Sequence, residues 1–148
     1  MADIGAGEVA LVQLQEDSSH PPTRIKVSSV LNRDVKQFGK KFMFDGDEET
    51  CWNSDQGSPQ FVSIELPYSA CVSRVHIRFQ GGFASTHCIL ASGSEQHSFY
   101  PEDINSLQVF PVPSAEPSKT HKIEFRTSTD FYGRLTVYQL QLYGQVCH

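Results

Sequence analysis

The chain reads as an all-β protein, an antiparallel β-sandwich or jelly roll, and three features of the sequence point that way. Apolar and polar residues alternate with a period of two in several short runs. Clusters of Gly, Pro, Ser and Asp separate those runs at hairpin-like spacing, and no long segment carries a helical period. The 148 residues suit one domain with a sizeable core, and a composition of 39% hydrophobic and 20% charged residues lies within the globular range.

Taken in order, residues 1–22 close on "EDSSHPP" and read as a loose N-terminal segment leading into a sandwich domain over 23–148. Within that segment "EVALVQLQ" alternates weakly, the pattern of an added edge strand. "NRDVKQFGKKF" reads as a turn or two of helix. "FVSIELP" puts Val62, Ile64 and Leu66 on one face and Ser63 and Glu65 on the other. "RVHIRFQG" turns Val75, Ile77 and Phe79 inward and Arg74, His76, Arg78 and Gln80 outward. "HCILAS", "SLQVFPV" and "HKIEF" follow as short strands. In "RLTVYQLQLYG" Leu135 and Val137 share a parity that Leu140 and Leu142 do not, which predicts a β-bulge near Tyr138 and Gln139.

The net charge of −5 argues against phosphate-driven binding of nucleic acid, which needs clustered Lys and Arg. Lys36, Lys40 and Lys41 are the one grouping, read as a solvated face. With no run near eighteen apolar residues and no signal-peptide pattern, the expected location is the nucleus or cytosol, without a membrane partner. In that compartment Cys51, Cys71, Cys88 and Cys147 are expected as free thiols. The histidines lack metal-ligand spacing, and no nucleophile elbow or phosphate loop occurs, so the chain is not expected to be an enzyme.

"FDGDEETCW", Phe44 to Trp52, packs four carboxylates, a glycine and a threonine ahead of the only tryptophan. It resembles the D-G-(D/N)-x-x-T-x-W signature of the discoidin family, the coagulation factor C-type, galactose-binding-like jelly rolls, and "VYQLQLYG" resembles that family's closing strand. Longer stretches, among them "RFQGGFAS", "FYPEDINSLQVFPVP" and "TDFYGRLTVYQLQLYG", are similar to an intracellular branch that associates with nuclear receptors. The resemblance implies a nuclear, monomeric interaction module that binds an orphan nuclear receptor and represses its transactivation by hindering its binding to response-element DNA. For the wider family it implies the alternative of a carbohydrate-binding, lectin-like domain.

Metal-binding relatives hold Ca²⁺ in the equivalent turn. The resemblance maps their ligands onto Asp45, Asp47 and Thr50, with Gln139 where a glutamate would stand. An amide lacks the charge and bidentate grip of a carboxylate, so calcium would be held weakly and no cofactor is required. The same residues also suit a plain turn, with Asp45 accepting nearby amides and Trp52 anchoring the chain. Phe38, Phe83, Phe131 and Tyr132, with Arg134, lie in Gly-containing stretches where loops are expected. They are the candidate partner-binding residues, against the alternative that they plug the ends of the sandwich.

Overall fold

The computed structural model describes residues 8–14, 22–113 and 116–147. Its organising element is β4, Gln60–Phe79, a twenty-residue strand that belongs to both layers of an antiparallel sandwich. The first half of β4 pairs with β2 (Arg24–Val27) on one side and β8 (Ser118–Phe125) on the other. Beyond β8 the layer continues through β5 (Cys88–Ser92) to β6 (Glu95–Phe99). The second half pairs with β9 (Thr136–Val146) and β7 (Gln108–Pro111). β9 in turn carries β1 (Val9–Ala10) and β3 (Trp52–Asn53).

The expected all-β antiparallel sandwich is therefore the observed architecture, with differences in detail. "FVSIELP" and "RVHIRFQG" are one strand, because Pro67 falls in the stretch between Glu65 and Ala70 where the ladder with β8 shifts register. A proline is tolerated there, since its missing N–H is not asked for. A second shift between Val72 and Arg74 changes the inward parity, so that Val62, Ile64, Leu66, Val72, Val75, Ile77 and Phe79 are all buried. β6 was not legible in "EQHSF", whose side chains are mostly polar. A two-residue Gly93-Ser94 turn folds it back on β5, with Ser92 opposite Glu95. The bulge expected near Tyr138 is present: Arg78 faces Gln139 and Phe79 faces Val137, leaving Tyr138 as the extra residue.

Part of the segment expected to be loose packs on the sandwich, as the weak alternation of "EVALVQLQ" suggests. Val9 and Ala10 pair with Gly144 and Tyr143, Leu11 and Val12 are buried, and the Leu11 N–H donates to the Leu142 carbonyl at 2.8 Å. The Gln141 amide extends this seam. Its Oε1 accepts from the Val12 N–H and its Nε2 donates to the Val12 carbonyl, both at 3.0 Å. The cause is apolar burial: Leu11 and Val12 cover a sheet that would otherwise face water. The rest of the expected loose segment, 1–7 and 15–21, lies outside the described residues.

Among the described residues, helix is confined to the segment after β2. It comprises a 3-10 turn at Leu31–Arg33, α1 at Val35–Phe38 and a second 3-10 turn at Lys40–Met43. Asp34 caps α1 by accepting from the Gln37 N–H at 3.2 Å. The core centres on Trp52, Phe79 and Phe125, all at zero exposure, with the Phe125 ring 5.9 Å from Trp52 and 6.1 Å from Phe79. The Trp52 Nε1–H reaches the Ser29 carbonyl at 2.9 Å, so its one polar atom is satisfied.

Candidate functional site

The loops that leave β4 and enter β9 meet the loops at 53–59 and 100–107 at one end of the sandwich. Short polar side chains do the joining, because they can answer backbone groups that no ladder reaches. Asn105 Oδ1 accepts from Gly81 N–H at 2.7 Å and Asp103 Oδ1 from Gly82 N–H at 2.8 Å. Thr129 Oγ1 accepts from Ala84 N–H at 3.0 Å, and the Thr129 N–H returns a bond to the Ala84 carbonyl.

Asp130 organises the tip of the 128–134 loop. Its Oδ2 accepts from the backbone N–H groups of Tyr132 and Arg134 and from Arg134 Nε, the last at 2.8 Å. Its Oδ1 accepts from Arg134 Nη2 at 3.1 Å. The Arg134 hydrogen bond, with help from those backbone amides, holds the Asp130 carboxyl below its usual range. Gly133 has φ of +83°, and a Cβ there would stand 2.8 to 2.9 Å from the backbone of Gly57. The Gly57 N–H donates to the Tyr132 carbonyl at 2.8 Å, so the two loops lock at that point.

This frame presents aromatic surface. Phe131 is 92% exposed and Tyr132 56%, their rings edge to face at 5.1 Å. The Arg134 guanidinium lies 5.4 Å from both the Tyr132 and Phe83 rings. Beside them opens a cleft of about 190 Å³ lined by Leu31, Asn53, Ser54, Gln80, Phe83, Arg134 and Thr136. Of the residues singled out in the sequence, Phe83, Phe131, Tyr132 and Arg134 thus form one cluster. Phe38 is half-buried on α1 and has no ring partner among the described residues. Sequence reading missed Asp130, although an acid four residues before Arg134 was a usable signal, and missed the cleft's polar lining, which comes from three separate segments.

Asp45, Asp47 and Thr50 also come together, but as a turn that closes on itself. Asp45 Oδ1 accepts from Asp47 N–H at 3.0 Å and Oδ2 from the Thr50 hydroxyl at 2.6 Å, while Asp47 Oδ1 accepts from Glu49 N–H at 2.9 Å. Gln139 is exposed on β9 opposite Arg78, and no hydrogen bond among the described residues joins it to the turn. Those oxygens of Asp45 and Asp47 are already engaged by donors of the turn itself, two backbone N–H groups and the Thr50 hydroxyl, and among the described residues no three His, Cys, Asp or Glu side chains are grouped to hold a metal ion.

A serine-histidine contact elsewhere has the look of catalytic machinery without the access. Ser92 Oγ and His121 Nδ1 lie 2.7 Å apart, and His121 Nε2 sits 2.8 Å from the Ser118 carbonyl. Both side chains are buried in the β5–β8 ladder, and burial pushes the His121 pKa down. A neutral imidazole that donates through Nε2 and accepts at Nδ1 satisfies the site as a core polar pair.

The chain is 55% identical over 129 residues to the nuclear receptor 2C2-associated protein of Danio rerio, covering 83% of this chain and 92% of that protein. It is 51% identical over 131 residues to the Homo sapiens protein of that name, covering 84% and 94%. The chain belongs to the nuclear receptor 2C2-associated protein family. No protein-family model matches it. Among solved structures, the F5/8 type C domain of a Bacteroides fragilis protein superposes with a TM-score of 0.72 at 14% identity, over 94% of this chain and 97% of that one. A family 32 CBM from C. perfringens NanJ, solved in complex with galactose, gives 0.69 at 19% identity over 92% and 98%. These neighbours show that this nuclear receptor 2C2-associated protein family member has the discoidin-type fold.

Proposed function

We propose that the chain is a nuclear protein-interaction module. In this reading it binds an orphan nuclear receptor and represses transactivation by hindering the receptor's binding to response-element DNA. The relatives' name supplies the class of partner. The observation that carries the reading is the exposed Phe131–Tyr132 pair on a hydrogen-bonded frame, since a loop backbone already tied in place loses little freedom on docking. A net charge of −5 disfavours competition for the DNA itself, so the contact is with the receptor, through complementarity to a basic region.

The reading assigns no catalysis and treats the 45–50 turn as structural, with calcium not required. A gel-shift titration tests it. Added chain should remove the receptor–DNA complex while leaving free DNA unshifted, and a shift of the response element without receptor would sink the proposal.

A second reading, carbohydrate binding, is favoured by the cleft beside Phe83 and by the galactose complex of a structural neighbour. An NMR titration with galactose decides it: saturable shifts at Phe83 and Arg134 would replace the first reading's use of that cleft.

A further inference from the structure

Cys71 and Cys147 place their sulfurs 3.2 Å apart although 76 positions separate them in sequence. The β4–β9 ladder brings them together. Ala70 faces Val146 and Cys71 faces Gln145, and the Cys147 N–H donates to the Ser69 carbonyl at 2.8 Å, so the pairing runs one residue past β9. Gln145 and Cys147 share a parity, which sets Cys147 diagonal to Cys71 on one face.

The two thiols share a hydrogen bond, which together with burial raises the Cys71 pKa. The remaining cysteines are differently placed. Cys88 is wholly buried, its thiol pushed up to about 12 by desolvation. Cys51 is half-buried, its pKa raised by burial, and no sulfur approaches it among the described residues.

We propose that Cys71 and Cys147 form a redox-modification site that a hydroperoxide converts to an intramolecular disulfide. One thiolate attacks a peroxide oxygen, the O–O bond breaks, and a sulfenic acid and water result. The second sulfur then displaces the sulfenic oxygen, which leaves as another water while the S–S bond forms. Two thiols are oxidised by two electrons and one hydrogen peroxide is reduced to two waters. Cellular thiols reverse the step by exchange, as expected of a disulfide in a reducing compartment.

The bond sits at the Ala70–Val146 end of the ladder, whereas the candidate binding loops leave from the Phe79–Val137 end. Oxidation therefore fastens the sandwich without covering the aromatic surface. It closes a long loop, and closing a long loop constrains the unfolded chain strongly.

The test treats fully reduced chain with graded hydrogen peroxide, blocks residual thiols, and reads intact mass, peptide map and melting temperature. The expected result is loss of two of the four thiols in a monomer, a cross-linked peptide joining Cys71 to Cys147, and a Tm rise of roughly 5–15 °C reversed by dithiothreitol. Cys147→Ser should melt like the reduced wild type and lose both the link and the Tm rise, whereas Cys51→Ser should keep them. Oxidation of single thiols without a link, a link through Cys51, or a disulfide between two copies would overturn the proposal.

Discussion

The 45–50 turn and the 128–134 loop use the same materials, an aspartate that gathers nearby N–H groups and a glycine at positive φ, yet they are held differently. Gly46, at φ of +76°, has nothing within 4 Å of the place a Cβ would take, and the Asp45 bonds all stay within the turn. Gly133, at φ of +83°, has Gly57 backbone against it, and Asp130 ties together Tyr132, Arg134 and the loop's own amides. A turn that closes on itself protects its own backbone and positions little else. A loop keyed into a neighbouring loop fixes the backbone from which an exposed aromatic pair projects.

The comparison is open to breaking. Its largest consequence concerns the glycines. Gly133→Ala should cost about 3 kcal/mol or more, because strain at positive φ adds to a clash with backbone that has no flexible end to move. Gly46→Ala should cost about 1 kcal/mol from the conformation alone. Urea denaturation of both variants measures the difference, and equal losses would mean the Gly133–Gly57 contact is unimportant.

Next comes binding. Phe131→Ser should change stability by less than about 0.5 kcal/mol, since the ring is almost wholly exposed, while weakening receptor association about tenfold or more. Surface plasmon resonance against the receptor reads the second effect, and unchanged affinity would move the interface elsewhere. On the other turn, Asp45→Ala should cost about 0.5–1 kcal/mol through its lost hydrogen bonds. Calorimetry with Ca²⁺ should give negligible heat for wild type and variant alike; a saturable heat that Asp45→Ala abolishes would restore the metal site.

The smallest effect is one of pH. The Asp130 carboxyl is held below the ordinary aspartate value, so its share of loop stability is fully present above that value and is lost only as pH falls through the lower folded-state pKa. An NMR titration following the Tyr132 and Arg134 amides should show the loop intact down to the ordinary aspartate range and opening below it. Opening near neutrality would point to another group.

How much of this was legible depended on whether the determinant was local. Alternation gave the buried sets of β4 and β9, and a change of parity located the bulge at Tyr138, because side-chain period is a property of consecutive residues. Pro67 misled, since whether its missing N–H matters depends on the partner strand's register. β6 was hidden because its residues are mostly polar and its pairing comes from a short turn. At the candidate surface the exposed residues could be guessed from composition. The supports could not: Gly57 under Gly133 and Asp103 under Gly82 are joined only by the fold.

The doubly shared β4 has a consequence for how the protein is made. Its first half finds β2 early, but β8 lies some fifty residues downstream and β9 closes the second layer only near residue 146. Val9 likewise waits for Gly144. On the ribosome the nascent chain must therefore carry a long, half-paired strand with one apolar face until almost all of the sandwich has been synthesised, and that interval is when a chaperone would find it.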